Sequence, residues 1–299
     1  MKPPPPPTEF FSLRKIPLSP EEALSAADSI ASGEASDWGS RTLWPADRIA
    51  GGDWSPVQWF EGRLAEAAYE INQSPLLEPV GKRHEIGPAG QRIRDAYTQC
   101  ESDTPEAVPI FWSVSSQIHN TMHSSPEANG LAKNAKKGLA QKYWQRRSRL
   151  LVAQRYDTIS GRLTAIWSPT PSIGSGWTPV TVSDEIDGHA LAAWWNSTPT
   201  RIMLLNLRSK KLTYPAWSLD QLRSVGIPNP DNPAWATLAR AWEEVSDVEI
   251  MPLSQADDCP VRSTIDRAAA LALGVEEQQI AEWRGMLARE PTINNRLAD

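Results

Sequence analysis

The sequence predicts an α+β fold of mixed helices with a small central β-rich region and a helical C-terminal segment. Three observations predict it. Capped, periodically apolar segments lie toward both ends of the chain, as amphipathic helices require. Short strand-like runs cluster between residues 110 and 182. Charge is segregated along the same division.

The elements follow in chain order. Residues 1–8, with prolines at 3–7, read as a disordered polyproline tail without the apolar core of a targeting signal. Residues 9–107 form a first segment of short helices and loops. Ser19-Pro20-Glu21-Glu22 has the form of an N-cap, a first-turn proline and first-turn acids, so a helix runs through 23–30 and stops near Gly33. A second helix is expected after Ser55-Pro56, with Val57, Phe60, Leu64, Ala67, Ala68 and Ile71 on one face. Residues 74–90 are loops, and 90–99 a short helix.

The central segment, 108–228, opens with a strand at 110–114. A very basic helix is expected over 131–149, then strands at 149–155 and 163–167 joined by a hairpin turn at 157–161. A further strand covers 177–182. Residues 189–207 read as one long helix that Pro199 kinks or splits. In the last segment, 229–299, three amphipathic helices are expected at 233–245, 261–273 and 276–289, and Gly274 fits a helix C-cap.

At 299 residues, with 40% hydrophobic and 22% charged side chains, the chain has enough apolar material for real cores. No run has the roughly 18–20 apolar residues of a membrane span, which excludes an integral membrane role. Two cysteines, Cys100 and Cys259, make neither a disulfide framework nor a zinc site, and a reducing cytoplasm is the expected compartment.

The formal net charge is −6, but residues 131–223 carry 14 basic and 5 acidic side chains. Residues 1–130 carry 10 and 18, and residues 224–299 carry 6 and 13. Clustered cations favour a polyanionic partner, because meeting phosphates releases counterions. The candidate nucleic-acid contacts are Lys136, Lys137, Lys142, Arg146, Arg147, Arg149, Arg155, Arg162, Arg201, Arg208, Lys210 and Lys211. Trp167 and Trp177 lie among them as candidate stacking aromatics. The bland alternative is that this block pairs with the acidic flanks of its own chain.

Catalytic patterns are weak. His119 and His123 are spaced four apart but lack a third ligand, so structural roles are expected. Gly174-Ser175-Gly176 is a lone Gly-x-Gly that fits a plain turn. No metal, cofactor or catalytic residue is expected, and an unrecognised site around His119, His123 and His189 is the least favoured reading.

Arg149-Leu-Leu-Val-Ala-Gln-Arg155, then Trp194-Trp195-Asn196-Ser197 after Leu191, then Leu222, Ile227, Pro228 and Pro230, follow a familiar order. This order resembles the C-terminal target-recognition region of the gamma-class adenine-specific DNA methyltransferases of restriction–modification and phage-exclusion systems. Residues 54–94 and 261–293 are similar to flanking parts of the same enzymes. The methyl-donor domain is missing. Asn232-Pro233-Ala234-Trp235 lacks the second proline of the catalytic loop and reads as a helix start. The resemblance therefore implies recognition without catalysis, with double-stranded DNA and a separate DNA methyltransferase chain as partners, in a bacterial modification or antiphage system. A protein–protein scaffold of a defence complex is the alternative.

Overall fold

The computed structural model describes residues 6–13, 15–34, 36–88, 93–102, 104–115, 117–156, 161–208 and 216–294. Its first elements are β1 (Thr8–Leu13), α1 (Pro20–Ser32), β2 (Gly39–Trp44), α2 (Ala46–Ala50) and α3 (Gly62–Gln73). Helix α1 obeys its sequence signals. The Ser19 side chain accepts from the Glu22 N–H, and Gly33 closes the helix at φ 68°.

Two expectations for this segment need correction. β1 and β2 pair antiparallel, Thr8 opposite Trp44, where the sequence predicts only helices and loops. Gly39 permits the pairing, since a Cβ there would lie 2.1 Å from the Ser12 carbonyl oxygen. The helix expected after Ser55-Pro56 is a single 3-10 turn over Ser55–Val57. The N–H groups of Phe60 and Glu61 donate to the Glu290 carboxylate at 2.9 and 3.0 Å, so they are not available to a helix. From Gly62 onward the expected apolar face is buried, whereas Val57 is exposed.

The middle of the chain contains β3 (Leu77–Pro79), α4 (Ile93–Ala96), β4 (Tyr97–Cys100), β5 (Val108–Phe111), β6 (Ala128–Ala132), α5 (Lys137–Trp144), β7 (Ser148–Ala153), β8 (Ala165–Gly174) and β9 (Trp177–Val180). Six of these strands make one sheet in the order β4-β6-β5-β8-β7-β9. β5 and β8 run parallel, and the other neighbours are antiparallel. The expected hairpin pairing is present, with Leu150 opposite Trp167; residues 157–160 of its turn lie outside the described set. Of the helix expected over 90–99, residues 90–92 lie outside the described set, Ile93–Ala96 is helical, and the chain then enters the sheet as β4.

The basic segment 131–149 is not one helix. Its start belongs to β6, pinned between β4 and β5, where a Cβ on Gly130 would meet Ile110 Cδ1 at 2.4 Å. Its end enters β7 because Leu150, Leu151 and Val152 are needed in the core. What remains helical is a 3-10 turn over Asn134–Lys136 and α5 after it.

The chain continues through α6 (Glu185–Asn196), α7 (Thr198–Asn206), α8 (Leu219–Ser224), β10 (Gly226–Pro228), α9 (Pro233–Val245), α10 (Pro260–Leu273) and α11 (Glu277–Arg289). β10 pairs with β3. The helix expected over 189–207 is split: Pro199 lies in the first turn of α7, and Ser197 caps it. The last three helices match their expected positions, with Gly274 left-handed at φ 66°. Asn232 caps α9 by accepting from the Ala234 N–H, the helix start read from the sequence.

One large apolar cluster extends from Trp44 to Ile293 and includes α3, β7–β9, α6, α7 and the C-terminal helices. A second, small cluster of Ile93, Ala96, Tyr97, Ile110, Ala140, Tyr143 and Ile173 seats α4 and α5 on the outer half of the sheet. The boundary expected at 107/108 falls between β4 and β5, so the first segment lends a strand to the central sheet. No described helix is long and apolar enough to cross a membrane.

Candidate nucleic-acid interface

Helix α5 carries the exposed part of the basic block. Ala140 and Tyr143 face the small core, and the Tyr97 hydroxyl donates to the Ala140 carbonyl at 2.7 Å. Those anchors fix the opposite face outward. Lys136, Lys137 and Lys142 are exposed, and among the described residues no carboxylate pairs with them. Arg147 is exposed beside them, over the Trp144 ring at 4.9 Å. Lys133 ties this surface to α4, its Nζ donating to the Arg94 carbonyl at 2.8 Å.

Other members of the block are partly neutralised, two by carboxylates of the acidic flanks and one by a carboxylate of the block itself. Arg146 pairs with Glu85, Arg149 with Glu185 and Arg162 with Glu249. Arg149 also lies 4.6 Å from the Trp167 ring and donates to the Ser168 carbonyl at 3.0 Å. Exposed ion pairs of this kind are screened and add little stability. Their effect is to leave the uncompensated charge on α5.

Four candidate contacts are withdrawn because their side chains are inside the fold. Trp167 is 2% exposed, and α6 crosses it at Gly188, where a Cβ would come within 2.0 Å of the indole. Trp177 is 2% exposed and donates its Nε1–H to the Ser113 carbonyl at 2.8 Å. Arg201 is 1% exposed and donates to the Tyr156 hydroxyl and the Arg162 carbonyl. Arg208 donates to the carbonyls of Leu205 and Gln58; burial pulls its pKa down to about 10, with Glu290 opposing. It remains charged at neutral pH. Lys210 and Lys211 lie outside the described residues.

Arg155 is exposed at the end of β7 and opens onto a cavity of about 280 Å³ lined also by Arg94, Trp112, Ser113, Ser175 and Gly176. The sequence reading missed Arg94 and Trp112. Arg94 stood in an acidic segment, and Trp112 read as strand core. Only the sheet brings the loop after β5 against the β8–β9 turn, through the Ser175 N–H bonded to the Phe111 carbonyl at 2.7 Å.

His119 and His123 each face a different carboxylate. His119 Nε2 lies 3.1 Å from Glu127 Oε2, and His123 Nδ1 lies 2.9 Å from Asp247 Oδ1. Burial pushes the Glu127 carboxyl up, but hydrogen bonds from His119 and the backbone outweigh it, so its pKa sits below the ordinary value. No cluster of three or more metal-ligating side chains occurs among the described residues.

The Asn196-Ser197-Thr198-Pro199 joint is structural. Asn196 Oδ1 accepts from the Thr164 N–H at 2.8 Å, and its Nδ2 donates to the Ala165 and Ala192 carbonyls at 2.8 and 2.9 Å. Thr198 N–H and hydroxyl donate to Asp266 at 2.8 and 2.7 Å, and Arg284 closes the arrangement at 3.0 Å. Buried polar groups with this many partners fix how elements join.

No family model matches the chain, and no curated protein sequence does. Among solved structures, the type IIG restriction endonuclease BpuSI is similar, with a TM-score of 0.57 at 10% identity over 99% of this chain. This shows a shared fold. The chain spans only 41% of the BpuSI chain. A chain of a type I restriction–modification system aligns at TM-score 0.33 and 13% identity, covering 91% of this chain and 67% of its own. The HsdS subunit from Thermoanaerobacter tengcongensis aligns at 0.36 and 10%, covering 83% and 54%. Neither of these two scores establishes a common fold.

Proposed function

We propose that this chain is a non-catalytic DNA-recognition subunit that works with a separate DNA methyltransferase chain in a bacterial modification or antiphage system. The observation that carries the reading is the group of exposed cations on and beside α5, Lys136, Lys137 and Lys142, unpaired among the described residues, on a helix seated by Ala140 and Tyr143 in a protein of net negative charge. Lys and Arg in such a group fix register on phosphates, and side chains nearer the sheet end read base edges or shape. The fold shared with part of a restriction endonuclease supports the reading. The expected domain limits of 108–228 for the recognition region, and the remaining contacts Arg146, Arg147, Arg149, Arg155 and Arg162, belong to the same proposal.

The test is duplex DNA binding across a salt series, alone and with a candidate partner methyltransferase. Lys136→Glu, Lys137→Glu and Lys142→Glu together should weaken binding at least about tenfold. They should also flatten the salt slope by roughly 0.9 for each phosphate no longer neutralised. The three positions make no side-chain contact that the fold needs, so the melting temperature should hold. Unchanged affinity and slope would defeat the proposal.

One observation favours the scaffold reading. The pairs with Glu85, Glu185 and Glu249 show that part of the basic block is answered within the chain. A stable complex with the methyltransferase that survives the triple reversal, with no DNA binding by either form, would select it.

A further inference from the structure

The cavity at the end of β7 is built as a receptor. Every strand end and turn around it is tied down by hydrogen bonds that a ligand need not supply. Ser113 N–H donates to Glu127 Oε1 at 2.6 Å, and the Ser113 carbonyl accepts from Trp177 Nε1 at 2.8 Å. Gln154 N–H donates to the Gly176 carbonyl at 2.8 Å. Gly176 sits at φ 83°, and a Cβ there would press on Val114 at 3.0 Å. These bonds place the lining residues without help from a ligand, which lowers the ordering cost of binding.

Its chemistry has one sign. Two guanidinium groups line it, and none of its described lining residues is acidic. Arg94 spends one donor on the Trp112 carbonyl at 2.9 Å and lies 5.5 Å from the Trp112 ring centre. Arg155 makes no side-chain bond among the described residues, so its planar fork of donors is free. The Ser175 hydroxyl likewise has no partner there. Two forks, a hydroxyl and a half-buried indole match a phosphoryl group joined to a base. The volume of about 280 Å³ sits at the small end of ligand sites, enough for one nucleotide rather than a cofactor.

We infer that this cavity binds a single nucleotide unit, with Arg94, Arg155 and Ser175 on the phosphate and Trp112 against the base. The inference rests on the DNA-recognition reading for its ligand class, and makes the cavity the place where one nucleotide leaves the stacked duplex. Lys133, bonded to the Arg94 carbonyl, connects it to the α5 surface that tracks the flanking backbone.

The test titrates the full chain calorimetrically with deoxyadenosine monophosphate and, separately, with inorganic phosphate. The nucleotide should bind at least about tenfold tighter than phosphate, the increment expected from stacking on Trp112. Arg155→Gln should weaken both ligands at least about tenfold, since charge-assisted hydrogen bonds are removed. Trp112→Leu should bring the nucleotide down to the phosphate level and leave phosphate unchanged. Equal binding of nucleotide and phosphate would overturn the assignment, as would nucleotide binding indifferent to Arg155→Gln, or no binding of either. The α5 triple reversal separates the two claims. Duplex binding that needs α5 but nucleotide binding that ignores Arg155 defeats the cavity alone. Arg155-dependent nucleotide binding without duplex binding defeats the recognition reading alone.

Discussion

His189 shows how much one side chain depends on its surroundings. Its ring stacks on Trp242 at 3.7 Å and 15°, with Trp167 edge-on at 5.1 Å. Burial lowers its pKa, Glu185 and Glu243 pull it partly back, and Arg149 lowers it further. The unfolded chain takes up this proton near pH 6.5, and the folded chain only below that. As pH falls through 6.5 the unfolded state binds more protons, so stability declines toward the lowered folded pKa. The urea midpoint of the wild type should fall between pH 7 and 5.5, and that of His189→Phe should fall less. Equal declines would clear His189. The sequence showed a histidine in a helix with two tryptophans following. It did not show Trp242, which reaches the ring only because α9 packs on α6. Arg201 was misread for a related reason. Grouped with Arg208, Lys210 and Lys211 it resembles a surface cation, but it is buried on α7 and serves Tyr156 and a carbonyl.

At the scale of elements, the local signals carried furthest where caps decide the outcome. Ser19, Asn232 and Gly274 each sit where the sequence placed a helix end. They act on their own few residues, so no tertiary knowledge is needed. Strand pairing is different. β1 and β2 depend on each other across the α1 excursion, and β6 depends on two partners, so neither announces itself in a window of ten residues. The contact between α6 and β8 has a sharp requirement for glycine. Gly188→Ala would place a methyl within 2.0 Å of the Trp167 ring and should cost about 1–3 kcal/mol by overpacking. Denaturant midpoints at constant m-value would measure it, and a cost under about 0.5 kcal/mol would show that the helix shifts freely.

For the whole molecule, the two apolar clusters divide the protein unequally. The large one joins α3 to α7 and α11 and closes through Asp266 and Glu290. The small one holds α4, α5 and the edge strands by seven buried residues. Regions with few buried contacts open at lower free energy than the global core. Amide exchange should therefore be fastest in α4, α5 and β4–β6, with β7, α6 and α10 protected to the level of global unfolding. Uniform protection would show that the sheet couples both lobes into one unit. The candidate site spans the two lobes, with Arg94 on α4 and Arg155 just after β7, and its assembly from Arg94, Trp112 and Arg155 was invisible to sequence because three separate segments supply it.

The three ion pairs on the basic block, two of them reaching to the acidic flanks, also act at a distance. Glu85, Glu185 and Glu249 quench part of the positive block, and the segments on either side of it in sequence carry a net negative charge. Within a Debye length of about 8 Å, an approaching polyanion is attracted over one patch and repelled over its surroundings. The molecule behaves as a compass needle in such a field. Encounters begin already turned toward α5, so fewer collisions are wasted on wrong orientations. Dilute buffer should sharpen that alignment, and concentrated salt should erase it before close contacts are affected.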